Sequence, residues 1–222
     1  MVIFHFTLDL QMFGHVPAGT IQNAFWANFA RLIAGSFLFL AGVSLVLAHG
    51  RGIRWGAFGR RLAMVVAGAL AVTLVTYIGM RDSFIYYGIL HSIAVASVIS
   101  LAFLRLPAAV TALVAVGVFM VPAYVSLPAF NSHWLAWTGL AETIPRSLDF
   151  EPLFPWLAPC LMGVAFAKAG TFWGLWEHLR TAAPSSALAR RIAWPGRHSL
   201  VIYLLHQPII FGLMYAHFML TR

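Results

Sequence analysis

The chain consists of long apolar runs, each about as long as a bilayer is thick, joined by short polar connections. Hydrophobic residues make up 61% of the 222 positions and charged residues 9%, and the mean hydropathy is +0.86, far above that of soluble domains. A helix needs about 20 apolar residues to cross the hydrocarbon core, whereas barrel strands are about ten residues of alternating polarity. The sequence therefore predicts an all-α integral membrane protein, a polytopic transmembrane helix bundle.

About seven apolar segments can be distinguished, and no connection between them is long enough to fold alone. The first segment, before Gly14, holds only about a dozen residues, so we expect a short or truncated first helix. The remaining spans are predicted at about 23–47, 62–80, 84–104, 108–127, 153–169 and 198–218. Residues 1–222 are therefore treated as a single integral-membrane domain without internal repeats.

The basic residues fall on one side of the membrane when the spans alternate in direction. They concentrate in the predicted loops 48–61 and 170–197, so this side is predicted to be cytoplasmic and the loop 128–150 to lie outside. The net charge of +8 then reflects topology and contact with anionic lipid, and we expect the bilayer, not nucleic acid, as a partner. The lone Cys160 excludes an intramolecular disulfide, and no structural metal site is predicted.

The first segment, MVIFHFTLDLQMFGH, carries the smallest group of residues that indicates chemistry. His5 and Asp9 lie four residues apart, which places them on one face of a helix. A carboxylate can orient an imidazole that relays a proton, and ionisable groups at membrane depth commonly serve function. The alternative is that both side chains bond to neighbouring helices or face water at the membrane edge.

Two further histidines are predicted at a similar depth. At 1.5 Å per residue, His5, His91 and His206 fall within about two helical turns of the same level of the bilayer. The alternative for each is a satisfied hydrogen bond between helices. Because three imidazoles converge near Asp9, we predict a shared polar cavity.

The last span carries a local break in its hydrogen bonding. Pro208 has no N–H group, so the carbonyl of Leu204 is freed within the span. Tyr203 and Gln207 lie beside that carbonyl, and we expect both side chains to contact a polar substrate.

The outer loop, PAFNSHWLAWTGLAETIPRSLDFEP, holds groups suited to a polar ligand. Trp134 and Trp137 could stack on a sugar face, while polar side chains could bond hydroxyls or an amine; the candidates are Asn131, Asp149 and Glu151. Tryptophan is also the ordinary anchor of membrane proteins at the interface, so that alternative stays open for the two indoles.

Five segments in order resemble a known family. They are FHFTLDLQMFG, FLFLAGVSLVL, FIYYGILHSIA, SLDFEPLFPWLAPCLMGVAFAKAG and GRHSLVIYLLHQPII. With the predicted topology, they resemble the bacterial branch of the heparan-alpha-glucosaminide N-acetyltransferase catalytic-domain family over nearly the whole chain. The resemblance implies a bacterial inner-membrane acyltransferase that takes acetyl-CoA from the cytoplasm and acetylates an amino sugar or other glycan acceptor on the far side.

The resemblance points to a second histidine near the start of the chain. Members usually carry a D-x-L-R-G pattern ahead of the first histidine-bearing helix, and this chain lacks it. In the animal enzymes the catalytic histidine lies just past this helix, which corresponds to His15 here. His5 corresponds to a polar position deeper in the same helix, so the spacing favours His5, the resemblance favours His15, and both remain candidates.

The implied reaction needs a base and a contact for the donor. A histidine would take the proton of the amine or hydroxyl that attacks the thioester, while Asp9 or Asp149 holds that histidine in the right tautomer. A covalent acetyl-histidine is the open alternative. The phosphates of CoA, a co-substrate, favour arginines; the candidates are Arg51, Arg54, Arg60, Arg61 and Arg197.

Two other classes of function stay open at this point. A transporter or flippase for a polar or lipid-linked solute would also converge polar groups at mid-membrane, although no paired broken helices are present. A non-catalytic membrane assembly subunit would need no converging histidines. A homo-oligomer is compatible with either class and with the enzyme.

Overall fold

The computed structural model describes residues 1–144, 146–182 and 186–221, and these residues are almost entirely helical or turn. Within the described residues there is no β-strand, and the one sheet-like pairing is an isolated bridge between Tyr87 and Phe150. The prediction of an all-α bundle is confirmed. The helices are α1 (Val2–Met12), α2 (Ala24–His49), α3 (Trp55–Gly79), α4 (Ile89–Leu101), α5 (Ala108–Tyr124), α6 (His133–Ala136), α7 (Leu153–Phe172), α8 (Leu175–Ala182), α9 (Ala187–Arg197) and α10 (Ser199–Leu220).

Each predicted apolar segment corresponds to a helix, although the helices differ in length. Four of them, α2, α3, α7 and α10, are long and apolar enough to cross a membrane. Two further apolar helices are shorter. One covers Ile89–Arg105, where a 3₁₀ turn continues α4, and the other is α5. The first helix has 11 residues, as expected for a short first segment.

Two helix starts differ from the predicted spans. The third helix begins at Trp55 instead of about 62, so Arg60 and Arg61 lie on its first two turns and not in a loop. The fourth helix begins at Ile89 instead of about 84, because the preceding backbone pairs with the outer loop. The N–H of Leu148 donates to the carbonyl of Ser83 at 2.9 Å in this pairing.

The described chain forms two compact units. The first unit contains Met1–Ile33 and the described part of Ala183–Arg222. Within it, α1 packs against α10, and the Phe13 ring lies 5.5 Å from the rings of both Phe211 and Phe218. Aromatic packing therefore fixes one end of the contact between these two helices.

The second unit contains Ala34–Ala182. In this unit α5 packs extensively against α7, and α4 contacts both α3 and α7. Its core includes Val43, Leu45, Phe58 and Val164, contributed by α2, α3 and α7. Apolar burial thus organises the unit around α7.

Two glycines bring α2 and α7 into backbone contact. A Cβ atom on Gly42 would lie 2.0 Å from the carbonyl oxygen of Cys160, and one on Gly163 would lie 2.0 Å from that of Phe39. No side chain fits at either distance. Small residues at such positions allow close helix packing in membrane proteins.

Candidate active site

Asp9 is a buried carboxylate on the face of α1 that contacts α10. It has no exposed surface, and its Oδ1 accepts a hydrogen bond of 2.9 Å from Nε2 of Gln207. Its Oδ2 is also buried but finds no hydrogen-bond partner among the described residues. A buried carboxylate needs such partners because desolvation of the charge is costly, so Asp9 is only half satisfied.

His206 presents an unpaired ring nitrogen. Its Nδ1 lies 2.6 Å from the carbonyl oxygen of Tyr203 and 3.2 Å from that of Ile202. Because carbonyl oxygens only accept, Nδ1 carries the hydrogen, and the neutral ring then has its lone pair on Nε2. That Nε2 is buried and has no partner in the described part of the chain.

His5 completes a group of four polar side chains on α1 and α10. Its ring centroid lies 5.0 Å from that of His206, and Asp9 follows it by one helical turn on α1. We call His5, Asp9, His206 and Gln207 the α1–α10 cluster. His5 and Asp9 lie on one helix, as their predicted shared face requires, and His5 lies close to His206, as their predicted similar depth allows.

The buried atoms of the α1–α10 cluster that lack a partner are all hydrogen-bond acceptors. They are Oδ2 of Asp9, Nε2 of His206 and Oε1 of Gln207, each buried without a partner among the described residues. A buried polar atom left unpaired costs about 1–3 kcal/mol, and such groups in native structures usually mark function or a bound molecule. The cluster is therefore suited to a ligand that supplies N–H or O–H donors and can give up a proton.

The other histidine suggested by the resemblance, His15, lies outside this cluster. It is exposed, and its ring centroid lies 6.2 Å from that of His217. His217 follows His206 by 11 positions in the sequence, which is roughly 16 Å along a helix. The structure thus separates the two candidates near the start of the chain and places only His5 beside a buried carboxylate.

His91 belongs to the second unit, where both of its ring nitrogens have partners. Its Nδ1 accepts the N–H of Gly88 at 3.2 Å, so the neutral ring carries its hydrogen on Nε2. That nitrogen donates to Oγ1 of Thr73 at 3.3 Å, and the threonine hydroxyl donates to the carbonyl of Ile85 at 2.6 Å. His91 is the third residue of α4, whereas its predicted depth was counted from a span that begins at about residue 84.

Asp149 holds the outer loop against the start of α4. Its Oδ2 accepts the N–H of Ile89 at 3.0 Å, which is the arrangement of a carboxylate at a helix N-terminus. Desolvation raises the pKa of the Asp149 carboxyl above its usual value, and the hydrogen bond from Ile89 opposes that rise. Space here is tight, because a Cβ on Gly88 would lie 2.4 Å from the same oxygen.

The two tryptophans of the outer loop differ in exposure. Trp134 is 87% exposed, whereas Trp137 lies 5.6 Å from the ring of Tyr87 and donates its Nε1–H to the carbonyl of Trp134 at 2.8 Å. Trp134 is therefore the indole with an open face for stacking.

The other polar candidates of this loop bond to the loop itself or to the segment before α4. Oδ1 of Asn131 accepts the N–H groups of Glu142 and Thr143 at 2.9 and 3.2 Å. The N–H of Glu151 donates to the carbonyl of Tyr87 at 3.2 Å. The side chain of Asn131 and the backbone of Glu151 thus shape the loop.

The five candidate arginines are exposed and divide between the units. Arg197 ends α9 in the first unit, and the other four lie around the end of α2 and the start of α3 in the second. Arg54 closes α2, since its N–H donates to Nδ1 of His49 and its Nε to the carbonyl of Ala48, both at 3.2 Å. None of the five forms an ion pair within the described residues.

Sequence reasoning missed the groups that orient this cluster. Gln207 was predicted to bind substrate, which stays a prediction, and its bond to Asp9 was not predicted. The carbonyl groups of Ile202 and Tyr203 were not predicted to set the tautomer of His206, and no sequence signal reveals a side-chain rotamer. No group of three or more histidine, cysteine or acidic side chains is arranged to hold a metal ion in the described part of the chain.

The fold and the cluster define a class of protein: an integral-membrane helical bundle with a buried histidine and a buried carboxylate on two packed helices. Residues 1–208 match the family "Heparan-alpha-glucosaminide N-acetyltransferase, catalytic". The chain belongs to this family, which confirms the resemblance of the five segments and supports a membrane transferase. Comparisons with curated proteins and with solved structures find no match.

Proposed function

We propose that the chain transfers the acetyl group of cytoplasmic acetyl-CoA to an amine or hydroxyl of an amino sugar or other glycan acceptor at the outer side of the bacterial inner membrane. One observation carries the proposal: Nε2 of His206 is buried without a partner among the described residues, and the next residue, Gln207, bonds the Asp9 carboxylate. Membership of an N-acetyltransferase family supports the acetyl donor. The excess of basic residues in the loops 48–61 and 170–197 supports the orientation.

In this proposal His206 is the general base. The acceptor attacks the thioester carbonyl, its proton passes to Nε2, a C–N or C–O bond forms, and the C–S bond breaks to release CoA as the thiolate, which takes up a proton. The carbonyl oxygen of Tyr203 accepts the Nδ1–H of His206 and so orients its ring. A carboxylate has this role in a Ser-His-Asp triad. Asp9 would stabilise the imidazolium that forms.

His5 offers a second imidazole 5.0 Å from His206, measured between ring centroids. It could pass the proton onward, or it could carry the acetyl group in a two-step route. The two routes differ in one observable, since only the second leaves a labelled protein when acetyl-CoA is added without acceptor.

The exposed arginines remain the proposed contacts of the CoA phosphates. Arg51, Arg60 and Arg61 have no ion-pair partner among the described residues, so their guanidinium groups are available to anions. Trp134, with its open face, is the proposed stacking surface for a sugar ring of the acceptor.

The test is acetyl transfer by purified protein from labelled acetyl-CoA to a panel of amino sugars. His206→Ala should lower the rate by about 10² to 10⁴, the usual contribution of a general base, and Asp9→Asn should lower it as well. His178→Ala is the matched control, because His178 is exposed on α8. Wild-type turnover in folded His206→Ala protein would contradict the assignment of the base, and no transfer by folded wild type to any acceptor would contradict the function.

A further inference from the structure

An open groove lies in the second unit, where the end of α7 meets the start of α5. Its volume is about 510 Å³, and its walls include Leu104, Leu106, Phe172 and Trp173. Lys168 is the one charged residue among the described residues that line it. The groove therefore combines an apolar floor with a single fixed cation.

Lys168 is held in place by the backbone. Its Nζ donates to the carbonyl oxygens of Phe103 and Leu106, at the end of the 3₁₀ turn that continues α4. A lysine ammonium has three N–H donors, so one remains for another acceptor. Because the ammonium is fixed, an anion bound to it would not have to order a flexible side chain.

A second cation stands next to the lining residues in the sequence, because Arg105 lies between Leu104 and Leu106 and does not itself line the groove. Arg105 lies on the same 3₁₀ turn, is exposed and forms no ion pair within the described residues. Helix α5 begins at Ala108 without a side-chain cap, so its first N–H groups add partial positive charge. No described acidic side chain lines the groove to offset these charges.

The rim of the groove is aromatic and exposed. Phe172 is 86% exposed and Trp173 is 75% exposed, and both lie at the end of α7, one of the helices long enough to cross a membrane. Aromatic residues at span ends typically lie at the headgroup level, and basic side chains there attract anionic headgroups. An amphiphile can therefore enter from the bilayer with its charged end at the two cations.

We propose that this groove binds an anionic phospholipid, with its phosphate on Lys168 and Arg105 and one acyl chain along the apolar wall. The third N–H of Lys168 and the guanidinium of Arg105 bond phosphate oxygens. The wall formed by Leu104 and Phe172 covers part of the chain. The proposal stands independently of acetyl transfer, because it uses none of the residues of the α1–α10 cluster.

The test is native mass spectrometry of protein exchanged into detergent with phosphatidylglycerol or phosphatidylcholine. Wild type should retain phosphatidylglycerol in preference to phosphatidylcholine, and Lys168→Gln or Arg105→Gln should each weaken retention by about fivefold. Glutamine at 168 keeps donors for the two carbonyls. Arg81→Gln is the matched control, because Arg81 is an exposed cation of the same unit that does not line the groove.

The alternatives give different outcomes. Equal retention of the two lipids, or unchanged retention in both groove variants, would overturn the proposal. Displacement of phosphatidylglycerol by acetyl-CoA would also overturn it, because the groove would then be a nucleotide site. If Lys168→Gln fails to fold, Arg105→Gln still decides, since that exposed side chain forms no ion pair within the described part of the chain.

Discussion

The side-chain amide of Gln207 donates to the carboxylate of Asp9 at 2.9 Å, across a sequence separation of 198 residues. This bond joins the first helix to the last. It also leaves the second carboxylate oxygen buried and available, so the contact that orients Asp9 does not use up its capacity to accept.

Removal of this bond should affect both stability and activity. In Gln207→Leu, Asp9 loses its one described side-chain partner, so we expect a loss of about 1–3 kcal/mol in the free energy of unfolding and a fall in acetyl transfer. Thermal unfolding in detergent and the transfer assay measure the two effects. Gln22→Leu, at an exposed position, should change neither, and wild-type stability in Gln207→Leu would show that the bond is dispensable.

His91 and His206 should differ in tautomer when both are neutral. The hydrogen-bond partners place the hydrogen on Nε2 in His91 and on Nδ1 in His206, and the two forms have distinct ¹⁵N chemical shifts. Spectra of protein labelled with ¹⁵N-histidine should show both forms. His198 should give a further Nδ1–H signal, because its Nδ1 lies 3.0 Å from the carbonyl oxygen of Trp194. One Nδ1–H signal should therefore disappear in His206→Ala and none in His91→Ala; an unchanged set of Nδ1–H signals in His206→Ala would contradict the assigned geometry.

Asp149 should contribute to stability as a helix cap. Asp149→Ala removes the acceptor for the N–H of Ile89, so we expect a loss of about 1 kcal/mol in the free energy of unfolding. Asp149→Asn keeps an oxygen acceptor of the same size and should lose less. Equal losses in the two variants would mean that the carboxylate charge, and not the hydrogen bond, matters.

The same residue should make stability depend on pH. Because the pKa of Asp149 is raised in the folded protein above the usual 3.8, the folded state binds this proton more tightly than the unfolded state does. The resulting stabilisation is complete below the usual pKa and is lost as the pH rises through the raised value. Unfolding measured across this range should show a smaller decline in Asp149→Asn than in wild type, and identical profiles would contradict the shift.

The glycine contacts between α2 and α7 should not tolerate a methyl group. In Gly42→Ala or Gly163→Ala the new Cβ would meet a backbone carbonyl of the facing helix, so we expect a loss of about 1–3 kcal/mol or more. Gly117→Ala is the control, since nothing lies within 4 Å of its added Cβ; alanine there should be neutral or stabilising because it favours the helix. Similar melting temperatures for all three variants would rule out the close contact.

Local patterns predicted much of this structure, and long-range pairing explains most of what they missed. The four-residue spacing predicted that His5 and Asp9 share a face, because that depends only on helix geometry. The predicted start of α4 was wrong by about five residues, because Asp149 and Leu148 form hydrogen bonds with a segment some 60 positions away. The bond from Gln207 to Asp9 was missed for the same reason, since the relative register of α1 and α10 is not encoded in either segment alone.

The tautomer of His206 is set by main-chain oxygen atoms, chiefly that of Tyr203. Every amino acid supplies that atom, so substituting the side chain at position 203 leaves the orienting group in place. A conventional mutational scan would therefore identify His206 as the base but would not reveal the carbonyl group that orients it. Replacing the peptide bond after Tyr203 with an ester, whose carbonyl is a weaker acceptor, is the kind of change that would expose this dependence.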